Sequence, residues 1–384
     1  MQLITFLGAN EIKHTHKYKF KGKEVSAEES VEALLSLYSF QKVKVLVTEK
    51  AKKKNLELLE VIVETQKNID IIDIDEDIEA LTIIVSALLT EDSIIDVTAS
   101  FRSIPFSTLI SSTLSRFNHH NFVKDIVYAR QIDGSPSPNI AASEFEYISI
   151  EKYLDIIYAS ALLSMFQNNY TLIEHYHIED EELVKLFGCL SNFSRAVLTG
   201  NLSAVIYEYS QPVLAQIDMI KDKPYLEKPL AVIYKEITLY KDLSSKSAYN
   251  KLLEYSKKMY EKKYYSLAVT SLSEAVDYFY CETAQKMNKF IQEEYRVCYD
   301  KYTFRRDVVK SIYNNQNLRN VHLRDVLLSL PWKENIKNSD FLQKLSKIRN
   351  EVAHIPIMKD EKNNIQHKDI APLFKTAQQI FGTP

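Results

Sequence analysis

Glycine is scarce in this chain: six residues in 384, namely Gly8, Gly22, Gly134, Gly188, Gly200 and Gly382, against a usual ~7%. No two stand at the spacing of G-x-G-x-x-G or G-x-x-x-x-G-K. That argues against a dinucleotide fingerprint and a Walker loop, both of which need bare backbone beside phosphate. Cysteine is scarce too. Cys189, Cys281 and Cys298 are too few and too scattered for a disulfide framework or a C-x-x-C zinc site, and a reducing cytoplasm is the expected compartment. The N-terminus lacks a basic segment followed by a cleavable apolar stretch, so no secretion signal is expected. The longest uncharged run, Ile156 to Ile173, contains Gln167, Asn168 and Asn169 and reads as a buried helix rather than a membrane span. No solenoid repeat or low-complexity segment is present.

Net charge is −3, with 48 basic and 51 acidic residues, but the sign is unevenly spread. Residues 1–250 hold 25 basic and 35 acidic side chains, a net of −10, and residues 251–384 hold 23 and 16, a net of +7. A basic C-terminal half fits an anionic partner, RNA or DNA first, although lysines that merely solvate helix faces give the same excess.

The first 150 residues alternate β-rich runs (Leu3–Leu7, Val43–Thr48, Ile69–Ile74, Ser93–Thr98, Asp125–Ile132, Phe145–Ile150) with helical stretches near 27–40, 55–67, 78–90 and 105–118. Ser26 and Glu29 read as a capping box for the first helix. Continuous apolar strands predict a mostly parallel, Rossmann-like sheet covered on both faces. The Gly134–Pro138 turn predicts that the last two strands form an antiparallel edge. From 151 onward the periodicity is helical, as in the Ala268, Leu272, Ala275, Phe279 stripe. Pro212, Pro224 and Pro229 predict a loop-rich zone. The fold class is therefore α/β plus all-α, with domains expected at 1–150, 151–250 and 251–384.

Two segments carry candidate chemistry. After the Ile94-Ile95 strand, Thr98, Ser100, Arg102 and Ser103 precede a helix that Pro105 can start. Ligands of open α/β sheets bind at the carboxyl ends of strands. Hydroxyls, a guanidinium and a helix N-terminus there suit a phosphate, and an ordinary capped connection uses the same residues. Gly8, Ala9 and Asn10 would lie alongside in a doubly wound order. The second segment is Arg349-Asn350-Glu-Val-Ala-His354, closing an amphipathic helix that carries Phe341, Leu345, Ile348 and Val352 behind an Asp340 cap. Pro356 ends that helix, since the residue before a proline avoids α geometry. Arg and His without metal ligands suit metal-independent RNA cleavage: the 2′-OH attacks phosphorus, His moves the proton and Arg stabilises charge. On an unbroken helix the two side chains stand ~140° apart, so the last turn unwinds or the residues converge where two chains meet. A capping histidine is the plain alternative.

The acidic stretch Asp70–Asp77 reads as a strand end and helix start. His119-His120 lacks ligands at metal spacing. His14 and His16, among Lys13 and Lys17, read as an anion contact or a solvated loop. Lys50 to Lys54 reads as a solvated loop or helix start.

Taken in order, Phe6-Leu-Gly-Ala-Asn10, Asp96-Val-Thr98 with Arg102-Ser103, Ile148–Asp155 and the R-N-x(3)-H element of residues 349–354 resemble the CARF–HEPN ancillary ribonucleases of type III CRISPR systems. The resemblance covers nearly the whole chain. It implies a cytoplasmic homodimer, with no membrane contact, whose paired CARF domains bind a cyclic oligoadenylate (tetra- or hexa-adenylate) as allosteric activator. Paired HEPN domains would cleave single-stranded RNA with no cofactor. It carries Gly8, Ala9, Asn10, Thr98, Ser100, Arg102 and Ser103 over as ligand contacts, and Arg349 and His354 as catalytic, supported by Asn350. Many members have His-Gly where this chain has Ala99-Ser100, which puts self-cleavage of the activator in doubt. A ring nuclease acting in the CARF pocket and an inert messenger sensor are the alternatives.

Overall fold

A computed structural model describes residues 1–9, 14–65, 68–75, 77–98, 103–117, 122–136, 141–172, 178, 180–313, 318–332, 338–353 and 367–382. The chain divides into two units: Met1–Leu163 with Ile173–Val184, and Ser164–Leu172 with Lys185–Pro384.

Among the described residues the first unit is built on eight strands: β1 (Gln2–Leu7), β2 (His16–Phe20), β3 (Lys23–Ala27), β4 (Lys42–Val47), β5 (Ile69–Asp73), β6 (Ser93–Asp96), β7 (Val123–Gln131) and β8 (Glu144–Ser149). Their order is β3-β2-β8-β7-β6-β1-β4-β5. The pairs β5–β4–β1–β6–β7 and β8–β2 are parallel, while β7–β8 and β2–β3 are antiparallel. All six strands read from the sequence are present. Helices α1 (Ser30–Leu37), α2 (Glu49–Lys54), α3 (Leu56–Thr65), α4 (Ile78–Leu88) and α5 (Ser103–Phe117) connect them.

Alternation along β1 explains the two-layer cover. Leu3 and Leu7 join Val31 and Leu34 of α1 and Leu59 and Ile62 of α3 on one face. Ile4 and Phe6 join Leu81 and Val85 of α4 and Ile104 of α5 on the other. Every β1 residue is buried, as expected of a strand covered on both faces.

In this unit three local expectations differ from the structure. Ser26 does not cap α1: it lies in β3 opposite Lys17, and the N-cap is Glu29. The β7–β8 pair is antiparallel but not an edge, because β2 docks beside β8 and leaves β3 outermost. His16 and Lys17 are strand residues, not loop. The hairpin escapes sequence reading because its turn is Lys21-Gly22, both at positive φ (47° and 80°), a primed turn in which only the second residue is the usual glycine.

Helices α6 (Glu151–Asn169), which carries the uncharged run, and α7 (Glu181–Leu198) each begin in the first unit and end in the second. The other described elements of the second unit are helical. A short turn α8 (Leu202–Ala204) runs through a π turn, Val205–Tyr209, into α9 (Ser210–Ile220), and α10 is Glu227–Asp242. Pro212 and Pro229 therefore do not mark loops. Pro229 is the third residue of α10, where a missing N–H costs little. Pro212 follows the π turn, where the regular i→i−4 ladder is already interrupted. The remaining labelled helices are α11 (Ala248–Glu261), α12 (Tyr265–Met287), α13 (Lys289–Val297), α14 (Lys301–Ile312) and α15 (Arg324–Leu328), followed by helices Ser339–Ala353 and His367–Phe381. Helix α12 is central: Ala268, Leu272, Ala275 and Phe279 are all buried, and α11, α13, α14 and the last two helices pack on it. Among the described residues no helix is long and apolar enough to cross a membrane.

Candidate functional site

The strand order places the crevice. From β1 the chain winds to β4 and β5 on one side, then returns to β6 and β7 on the other. The switch point is between β1 and β6, which pair in parallel with Thr5 opposite Asp96. Gly8 and Thr98 therefore leave neighbouring strands at the same end. The Gly8 carbonyl accepts from Asn55 Nδ2 at 2.8 Å, which ties that loop to the end of α2. Gly8 and Ala9 are half-buried. Asn10, Ser100 and Arg102 lie outside the described residues. Ser103 begins α5.

Beneath the crevice sits a buried carboxylate. Asp96 accepts from Thr5 Oγ1 (3.0 Å), Ser30 Oγ (2.7 Å), Thr98 N (3.0 Å) and Thr98 Oγ1 (2.6 Å). Tyr147 O–H donates to the Ser30 carbonyl at 2.8 Å and lies 2.8 Å from its hydroxyl. Burial raises the Asp96 pKa, and the four donors oppose the rise. Nearby Glu29 is pushed up to about 7, by burial first and then by Asp96, Glu32 and Glu28. The Thr98 hydroxyl gives its proton to Asp96 and accepts from Ala129 N at 2.8 Å. Its side chain thus fastens the loop to β6 and β7. The described floor of the crevice carries the carboxyl groups of Asp96 and Glu29.

The second segment is placed on helix Ser339–Ala353. Asn338 starts it, with Oδ1 accepting from Phe341 N at 3.2 Å, so the cap is two residues earlier than the Asp340 expected. Phe341, Leu345 and Ile348 are buried. That apolar seam packs on α12. The last turn is tethered, since Ser266 Oγ donates to the Val352 carbonyl at 3.4 Å, one of the carbonyls a helix end leaves free.

Arg349 is half-buried on the helix and Asn350 exposed. The guanidinium donates to Asn350 Oδ1 at 3.2 Å and to Tyr302 Oη of α14 at 3.4 Å. His354 lies outside the described residues. Beside this face, Arg306 of α14 donates to both carboxylate oxygens of Asp277 on α12 at 3.2 Å. Asp277 is held up at about 6 because its burial outweighs the attraction of Arg306. With Ser273, Tyr313, Leu342 and Ser346 the pair lines a small crevice next to the Arg349 helix.

Neither Tyr302 nor the Asp277–Arg306 pair follows from the sequence reading. Tyr302 is 47 residues from Arg349, and no local spacing connects them. Asp277 is legible only as a charge interrupting the apolar face of α12.

Elsewhere, His16 Nδ1 accepts from Ser143 N at 3.1 Å. That fixes the proton on Nε2, and burial, then His14, lowers its pKa. Asp77 caps α4 through Ala80 N at 2.8 Å, the helix start read for the acidic stretch. Glu49–Lys54 forms α2 behind Thr48, whose hydroxyl accepts from Ala51 N. His119 and His120 lie outside the described residues. Among the described residues no cluster of three or more His, Cys, Asp or Glu could hold a metal.

No protein-family model and no curated protein matches the chain. Among solved structures, it is similar to Enterococcus italicus Csm6 bound to cyclic hexa-2′-fluoro-hexa-dAMP, at 11% identity and a TM-score of 0.46, over 99% of this chain and 93% of that one. A likeness this distant assigns no residue and no reaction.

Proposed function

We propose that this chain is a cyclic-oligoadenylate-activated, metal-independent endoribonuclease that acts on single-stranded RNA as a homodimer in type III CRISPR defence. The observation that carries the reading is the Arg349 side chain. It is half-exposed on a rigid helix, held by Tyr302 and Asn350, five residues before a histidine. A guanidinium pre-oriented by two oxygen acceptors keeps N–H groups for a phosphate.

In the reaction the ribose 2′-oxygen attacks the adjacent phosphorus. His354 moves the 2′ proton, and Arg349 stabilises charge on the non-bridging oxygens. The P–O5′ bond breaks, the 5′ oxygen leaves with a proton, and a 2′,3′-cyclic phosphate remains. The messenger binds at the β1–β6 switch point, with Arg102 as cationic contact, and Gly8, Ala9, Asn10, Ser100 and Ser103 lining the crevice. Thr98 holds the loop in shape.

A second copy is the partner that α5 fits. Its amphipathicity is inverted. Ser107, Thr108, Ser111 and Ser112 are fully buried, whereas Phe106, Ile110 and Leu114 are 65%, 46% and 50% exposed. Ser107 and Ser111 donate to the α4 carbonyls of Ile78 and Thr82, so small hydroxyl residues let the two helices pack closely and turn the hydrocarbon outward. Phe106, Ile110 and Leu114 recur every four residues and so form one exposed apolar stripe, the kind of surface that a partner covers. Helix α5 has no acidic residue and one basic residue, Arg116, so a copy of itself meets little like-charge repulsion.

The test is cleavage of a fluorescent single-stranded RNA in EDTA, with cyclic tetra-adenylate, cyclic hexa-adenylate or neither. Cleavage is expected with one ring, with 2′,3′-cyclic phosphate ends, and is expected to vanish in His354→Ala. Messenger binding without cleavage in any condition would leave a sensor. Messenger consumption unaffected by His354→Ala would leave a ring nuclease.

A further inference from the structure

At the start of α14, whose Tyr302 meets Arg349, the surface carries aromatic rings that the core does not use. Tyr299, in the turn between α13 and α14, is fully exposed. A solvent-exposed tyrosine ring forgoes the burial that makes the residue stabilising. Tyr302 follows three residues later, 45% exposed, with its hydroxyl on Arg349. Three residues of chain reach at most ~11 Å, so Tyr299 and Tyr302 stand on one turn, at the start of the helix that meets Arg349.

The intervening acid is occupied. Asp300 caps α14, accepting from Thr303 N at 2.9 Å. These bonds, then Arg319, hold its pKa below the usual carboxylate value. The attraction to Arg319 also places that exposed guanidinium near the same turn. Lys301 reaches over the Tyr295 ring at 5.6 Å. Two open rings interleaved with Lys301, Arg319 and Arg349 form the combination that holds single-stranded nucleic acid. Cations track the backbone, and each ring offers a face on which any base can stack.

We infer that Tyr299 and Tyr302 are stacking platforms for the bases that flank the phosphate gripped by Arg349. Tyr302 has the second task of positioning the guanidinium through its hydroxyl. The inference rests on the proposed ribonuclease reading and adds its substrate contacts. Stacking is sequence-tolerant, so these rings confer affinity for unpaired RNA rather than base preference. A duplex keeps its bases stacked on one another and gains nothing from them.

The experiment uses the full-length protein with the activating cyclic oligoadenylate. It measures kcat and KM on a short single-stranded RNA, and anisotropy with an all-2′-deoxy strand, which binds but cannot be cut. Tyr299→Ala is expected to raise KM and weaken deoxy-strand binding about tenfold, within the range for loss of one stacked base, with kcat unchanged. Tyr299→Trp is expected to restore both, because it returns a ring and not a hydroxyl. Tyr302→Phe is expected to hold KM and lower kcat, because it keeps the ring and frees Arg349. Wild-type KM and deoxy-strand binding in Tyr299→Ala, with Arg349→Ala inactive, would overturn the stacking platforms and leave the nuclease standing. If no variant and no wild type cleaves RNA, deoxy-strand binding still decides: loss in Tyr299→Ala with recovery in Tyr299→Trp supports the platforms, and equal binding removes them.

Discussion

Glu29 and Asp96 show what burial does to single carboxyl groups beneath the crevice. The folded-state pKa of Glu29 is raised from 4.5 to about 7. Between those values the unfolded chain ionises while the folded one keeps its proton, so folding stability falls as pH rises through this window. Below pH 4.5 the penalty is absent, and above pH 7 it is complete. Glu29→Gln is therefore expected to be more stable than wild type at about pH 8, by on the order of 2 kcal/mol. The two proteins are expected to unfold alike at about pH 4, and urea midpoints at the two pH values check this. Asp96 is a scaffold group: Asp96→Ala would strand Thr5, Ser30 and Thr98 in a dry site, at roughly 1–3 kcal/mol for each donor left unpaired.

At the scale of elements, the inverted α5 and the Lys21-Gly22 hairpin make separate demands. A helix with serines inside and phenylalanine outside is stable where something covers the outer face. Ile110→Glu places a charge at the centre of that face without touching the buried hydroxyls. It is expected to convert dimer to monomer in sedimentation and to abolish RNA cleavage while each chain stays folded. A dimer that survives the substitution, with full activity, would move the interface elsewhere. For the hairpin, Gly22 stands at φ 80° in open space that would admit a Cβ without a clash, so the cost of Gly22→Ala is conformational. About 1 kcal/mol is expected, read as a lowered unfolding midpoint.

At the scale of the whole molecule, the charge division between residues 1–250 and 251–384 separates an acidic region from a basic one that carries Arg349. Binding of RNA to the basic half should weaken steeply with salt. The log–log slope gains about −0.7 for each phosphate neutralised on a single strand. Arg349→Ala is expected to reduce the slope by about that amount, measured by anisotropy on the deoxy strand. A slope that ignores the substitution would remove Arg349 from phosphate contact.

The amino-acid sequence alone determined those features that are periodic within one element. The continuous apolar β1 and β4, the helical stripe of α12 and the seam Phe341, Leu345, Ile348 follow from each element's own burial pattern, and strand–helix alternation implies the parallel sheet. Gly8 and Thr98 lie side by side only on condition of a doubly wound order, and the strand pairing of β1 with β6 meets that condition. Tertiary structure decided what depends on which distant residue arrives. β2 docks beside β8 because its paired strands bury Tyr18 and Phe20 with Phe145 and Tyr147, a match no local window contains. The Thr98 hydroxyl is engaged by Asp96 and Ala129, which fastens the loop to β6 and β7. Ser107 and Ser111 face inward because α4 supplies carbonyls at close range, and Tyr302 reaches Arg349 because α14 and the Arg349 helix pack on the same α12. Periodicity records only whether a side chain is buried. The identity of its partner is set by packing between elements far apart in the chain, and that is where the candidate chemistry of this protein is assembled.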